Sequence, residues 1–145
     1  MNETITRFGY PDTLIADYAH WVVLLRPAQP TLGSLVLAAK GPATAFSELA
    51  PEAFAELARV VADIEGRVCD AVGYLKINYL MLMMVDRHVH FHVIPRYEGE
   101  RSAAGLTVRD AAWPGAPALG EAVALSAEQI EALAGWLRSA WPSGR

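Results

Sequence analysis

Between positions 88 and 96 the chain reads His-Val-His-Phe-His-Val-Ile-Pro-Arg, an imidazole alternating with an apolar side chain three times over. A period of two belongs to an extended strand, whose side chains point to opposite faces in turn. His88, His90 and His92 therefore share one face, continued by Ile94 and Arg96, while Val89, Phe91 and Val93 share the other. The apolar set demands a core on its side. The opposite side then carries three of the chain's four histidines in a row about 7 Å apart. A strand face turned to solvent ordinarily carries mixed polar residues, so this row points to chemistry.

The rest of the chain supplies elements for that strand to pack on. Trp21 to Leu25 and Leu35 to Ala39 are apolar, strand-like runs separated by Pro27, Pro30 and Gly33, which predicts a hairpin. Pro51-Glu52 opens an Ala-rich helix in which Phe54, Leu57, Val61, Ile64 and Val68 recur every three or four residues as one apolar face. Leu75 to Val85 predicts a long strand buried on both faces, with Asp86-Arg87 as a polar turn into the histidine strand. The first 19 residues and the stretch from Tyr97 to Pro117 read as irregular. Ser126, followed by Glu128 and Gln129, starts a last helix that faces Ile130, Leu133, Trp136 and Leu137 inward. The expected fold is a single α+β domain over residues 1–145, with an antiparallel sheet of about five strands and two main helices.

Composition narrows the function classes. The 145 residues are 53% hydrophobic and 19% charged, enough for a core without staples. Twelve Lys and Arg against sixteen Asp and Glu give a net charge of -4, which is no footprint for nucleic acid or an anionic membrane. The longest largely apolar run, Ile77 to Val85, is nine residues and contains Asn78, far below the roughly 20 that span a bilayer. No leader-like segment opens the chain, so a soluble, cytoplasmic protein is expected. The one cysteine, Cys69, sits in a helical apolar stretch and is expected to be a buried, inert thiol. Met81, Met83 and Met84 are expected in the core or at a dimer interface, Trp113 as a loop pin, and Lys40 and His20 at strand ends.

Two chemistries use three imidazoles on a strand. As metal ligands the outer two stand about 13 Å apart at their α-carbons, an awkward reach for one ion. In nucleophilic catalysis at phosphorus, a central neutral imidazole attacks while its neighbours donate protons to phosphate oxygens. Crowded imidazoles disfavour one another's cationic forms, which keeps a nucleophile available near neutral pH.

The segment HVHFHVIPR resembles the signature of the histidine triad superfamily: His, apolar, His, apolar, His, apolar, apolar. Upstream, the Gly33 turn and GSLVLAAK, ending at Lys40, resemble the family's Gly-His-x-Leu-Val-x-x-x-Lys segment. The helix and the Asn78 strand follow in family order, so the resemblance spans about residues 20–97, with a loop and the C-terminal helix in 98–145. It implies a homodimer with joined sheets and a nucleotide hydrolase or transferase acting at the α-phosphate of a dinucleoside polyphosphate or a nucleoside phosphoramidate. By position, His90 would be the nucleophile, His92 would donate to the same phosphate, and His88 would orient the array. Asn78, with Arg96, Ser34 and Arg26, would line the substrate. No cofactor or metal is implied.

Three positions depart from the family pattern. Ser34 stands where a further histidine is common, and Arg26 where Asp or Asn takes the ribose hydroxyls. Leu82-Met83-Met84-Val85-Asp86-Arg87 replaces a Gly-Gln-Ser/Thr-Val turn. These departures motivate two alternatives: a catalytically weak nucleotide-binding module, and a metal-dependent hydrolase with the three histidines as ligands.

Overall fold

The computed structural model describes residues 1–142. Two strands with no polar side chain form its centre, β2 (Trp21–Leu25) and β4 (Leu35–Ala39), and every residue of both is buried. Such runs are tolerated only where both faces of a sheet are covered, and here they are. β1 (Leu14–Asp17) pairs with β2, and the sheet continues through β4 to β6 (His90–Arg96) and β5 (Lys76–Leu80), in the order β1-β2-β4-β6-β5, with every pairing antiparallel. The predicted hairpin is the β2–β4 pair, and between them β3 (Ala28–Gln29) bonds to the late β9 (Val123–Ala124). Gly33 turns this connection at φ +88°, where a β-carbon would come within 2.9 Å of Val72.

One face of the sheet packs on two helices. α2 (Pro51–Val72) starts with proline in its first turn and ends at Gly73 in the left-handed conformation, whose N–H caps the Cys69 carbonyl. α3 (Ala127–Ala140) opens on Ser126 and Gln129 in a reciprocal capping box. Val60, Ile64, Val68 and Val72 from α2, with Leu133, Ala134 and Leu137 from α3, meet Val23, Leu25, Leu35, Leu37 and Val93 of the sheet. The Trp21 indole N–H fixes α2 to the sheet through the Ala53 carbonyl at 2.8 Å. On the other face lies α1 (Glu3–Arg7), capped by the Asn2 side chain, and Ile5 packs on Val22, Leu24, Val36 and Ala38.

The α+β class, the five-stranded antiparallel sheet and the two main helices match the expectation. Several details do not. The first 19 residues hold α1 and β1. The stretch from Tyr97 to Pro117 holds a second hairpin, β7 (Glu100–Ala103) with β8 (Leu106–Arg109). The strand expected over Leu75 to Val85 ends at Leu80 and forms the sheet edge, half exposed, since it bonds to β6 alone. Beyond it Met84 and Val85 project outward, so Met84 is not core. The buried stripe of α2 keeps the expected Ile64 and Val68, with Leu57 and Val61 packed at its margin, and departs from the expected face at the N-terminal end. It takes Ala53 and Val60, leaving Phe54 to pair with Phe46 at the surface and Cys69 exposed. No helix is long and apolar enough to cross a membrane among the described residues.

Candidate active site

Register places the histidines. His92 stands opposite Val36 and His90 opposite Ala38, so both imidazoles project to the α1 side of the sheet, while Phe91 turns the other way onto Trp21, Phe46 and Tyr79. β6 itself begins at His90, so His88 belongs to the approach and is held by side-chain contacts in place of ladder bonds. All three are buried, His90 to 1% exposure. The rings of His90 and His92 meet edge to face with centroids 5.2 Å apart.

The partners of each ring determine where its proton sits. Nδ1 of His90 lies 2.7 Å from the His88 carbonyl, which can only accept, so Nδ1 carries the hydrogen and the neutral ring keeps its lone pair on Nε2. Nδ1 of His92 lies 3.2 Å from Nε of Arg26, which can only donate, so that nitrogen is bare and the neutral ring carries its hydrogen on Nε2. Burial, then the Arg26 cation, then His90 pull the His92 imidazolium down to about 4. His92 is therefore neutral at pH 7. Burial likewise lowers Arg26 from its ordinary value. His88 faces the Thr4 hydroxyl, 2.9 Å from its Nδ1, and its backbone N–H donates to the same oxygen at 3.2 Å.

α1 forms the roof of this site. Phe8 packs on both His90 and His92, with centroids 5.5 and 5.7 Å away. The Asn2 amide donates to the carbonyls of Ala39 and Gly41, and Arg7 forms an ion pair with Asp86 at 3.3 Å. Neither Thr4 nor Phe8 was singled out from the sequence; the one local sign was the Asn2-Glu3 start of a capped helix. A cavity of about 440 Å³ opens beside His88, bounded by Asn2, Gly41 and Arg87. The larger one, about 750 Å³, lies past Phe8 between Arg7, Pro27 and Arg138 and has no histidine in its wall. Of the three histidines, His88 alone lines the smaller cavity.

The structure brings Arg26 to the histidines but sends the other expected substrate residues elsewhere. Arg96 is buried in a two-pronged bond to Asp110 at 2.8 and 3.0 Å, and its third nitrogen donates to Asn78 Oδ1 at 2.9 Å. Those contacts fix the far end of β6, where Asp110 also accepts the Tyr97 N–H. Ser34 is wholly buried, its hydroxyl donating to the Thr31 carbonyl at 2.8 Å within the β2–β4 connection. Lys40 is tied to the Tyr18 carbonyl and to Asp17 at the strand end. Among the described residues, no group of three or more His, Cys, Asp or Glu side chains is arranged to share a metal ion.

Solved structures align with the chain over nearly its full length. A histidine triad protein from Sinorhizobium meliloti 1021 superposes with a TM-score of 0.73 at 24% identity, over 96% of this chain and 94% of that one. The fold is the histidine triad fold. A histidine triad protein from Marinobacter aquaeolei VT8 gives 0.73 at 22% identity, over 97% and 94%. A hypothetical histidine triad nucleotide-binding protein from Sulfolobus tokodaii strain7 gives 0.71 at 20%, over 94% and 88%. No family model and no curated protein matches the sequence. Within the histidine triad fold, the residue alternation read from positions 88 to 94 thus covers the approach to β6 and the first five residues of that strand, which lies between β4 and β5.

Proposed function

We propose that this chain is a nucleotide hydrolase or nucleotidyl transferase that works through a nucleotidyl-histidine intermediate. The observation that carries the reading is the complementary protonation of two neighbouring rings, a lone pair on Nε2 of His90 beside an N–H on Nε2 of His92. Nε2 of His90 attacks the α-phosphorus and forms the N–P bond. The bond to the leaving group breaks and that group departs with the electron pair. The His90 ring then carries positive charge, which the His88 carbonyl stabilises through the Nδ1–H it already accepts. His92 donates to a non-bridging phosphate oxygen, and His88 orients the array. Water then attacks phosphorus, the electron pair of the N–P bond returns to Nε2, and a proton passes to solvent.

The substrate class is a dinucleoside polyphosphate or a nucleoside phosphoramidate. A panel of both, assayed with and without chelator, tests the reading: turnover that survives chelation and disappears in His90→Gly is the expected result. Turnover abolished by chelator would contradict it. A second reading, a nucleotide-binding module with little turnover, draws on the roof of α1, which leaves His90 1% exposed. Binding without turnover of any panel member would favour it.

The second copy of a homodimer fits the open edge of β5, where Leu75 and Leu82 are about half exposed beside unpaired strand backbone. Light scattering is expected to give twice the mass of one chain, and a strict monomer at high concentration would remove this assignment.

A further inference from the structure

Among the described residues, Arg26 is the side chain outside the histidine strand that hydrogen-bonds to His92. It leaves the end of β2 and spreads its guanidinium between two acceptors, the Ala28 carbonyl at 2.6 Å through Nη1 and Nδ1 of His92 at 3.2 Å through Nε. The Ala28 bond makes the side chain part of the local turn, so its direction is set before any ligand arrives. The turn is itself braced. The Gln29 amide donates to the Arg26 carbonyl at 2.6 Å and to the Ser34 carbonyl at 2.9 Å, and the Arg26 N–H donates to that same Ser34 carbonyl. A neutral histidine ring in water exchanges its proton between both nitrogens, with Nε2–H the favoured but not the exclusive form. A guanidinium has five N–H groups and no lone pair to offer, so an imidazole nitrogen that meets one must be bare.

We propose that Arg26 is a positioning residue, which fixes the proton of His92 on Nε2 and so holds a permanent N–H donor beside the bare Nε2 of His90. The assignment rests on the proposed nucleotidyl-histidine reading for its catalytic meaning. It moves Arg26 from the expected place among substrate contacts to the support of a histidine. A carboxylate at position 26 would do the reverse, since it would take a hydrogen from Nδ1 and leave Nε2 unable to donate.

Among the described residues, Nδ1 of His92 has no competing hydrogen-bond partner. β4 presents Val36 and β5 presents Leu80 at its register, and the residue that ends α1, Phe8, presents its ring. The charged and titratable groups that act on it are Arg26 and His90. The same cation that sets the tautomer also disfavours a second proton, and with burial it keeps His92 neutral well below pH 7.

Long-range nitrogen–proton NMR of the ¹⁵N-labelled full chain, with His92 assigned by its loss in His92→Gln, tests this without any substrate. The wild-type spectrum at pH 7 is expected to show His92 with a bare Nδ1 and a protonated Nε2. In Arg26→Met the two nitrogens should average toward each other, and the titration midpoint should rise above the wild-type value of about 4 while staying below 6.5, because burial, the larger cause, remains. His90, fixed by the His88 carbonyl, serves as the internal control and should keep its Nδ1–H. A wild-type His92 protonated on Nδ1 overturns the proposal, and that spectrum decides even if the variant does not fold. An Arg26→Met spectrum identical to wild type at His92 overturns it as well. In turnover, Arg26→Met should lose about 3–10-fold in kcat with KM nearly unchanged, less than the about 10²–10³-fold cost of deleting a donor outright. A raised KM with unchanged kcat would return Arg26 to substrate binding. Absence of wild-type turnover would instead strike the hydrolase reading and leave the NMR result standing.

Discussion

The hydroxyl of Thr4 stands 2.9 Å from Nδ1 of His88, a contact between residues 84 positions apart. It accepts the His88 backbone N–H as well, so one side chain of α1 serves both the ring and the main chain at the entrance to β6. Thr4→Val keeps the shape and deletes both bonds. It should lower stability by about 1–3 kcal/mol, the cost of stranding buried polar groups, read as a shift of the urea midpoint at constant slope. An unchanged midpoint would show that α1 is not docked there in solution.

Much of this arrangement is legible in local sequence, and the reasons are physical. The row from His88 to Val93 shows its two faces because strand geometry has a period of two. β2 and β4 show as unbroken apolar runs, and Ser126 with Gln129 marks the start of α3. Partnerships across the chain leave no such trace. Nothing near Thr4 names His88, nothing near Arg26 names His92, and Asp110 sits in a stretch whose glycines suggest only loop. The alternation Leu106, Thr107, Val108, Arg109 was the signal for β8 there, and its residues are buried and exposed in turn. Cys69 faces solvent, against the expectation of a buried thiol, because a helix turns about 100° per residue and a neighbour of the buried Val68 can lie on the open side. The apolar run past Leu80 has the same composition on an exposed loop as in a strand, and only the pairing partner distinguishes them.

Asp110 should be the most costly polar side chain to remove. It holds both prongs of a buried Arg96 and the Tyr97 N–H, with side-chain exposures of 1% and 4% for the ion pair. Asp110→Ala leaves a buried guanidinium with only Asn78 as partner and should destabilise the fold by about 3–5 kcal/mol. Denaturant unfolding measures it, and a loss under about 1 kcal/mol would mean that water reaches Arg96 readily.

Acid should weaken the fold through His92. Its unfolded value is near 6.5 and its folded value about 4, so between those limits the unfolded chain binds a proton that the folded chain refuses. The stability contribution is complete above pH 6.5 and is lost as pH falls toward 4. His92→Phe should flatten the slope of stability against pH within that window. An identical slope in wild type and variant would show that His92 charges freely in the folded protein.

The central claim is that Nε2 of His90 forms a bond to phosphorus. The most direct measurement mixes wild-type protein briefly with an activated adenylate, quenches in alkali and maps the attached mass. The account predicts an acid-labile nucleoside monophosphate on His90, absent from His90→Gly while that variant still binds nucleotide. Label on Ser34, or no label at all during brisk turnover, would contradict it and leave direct attack by water as the mechanism.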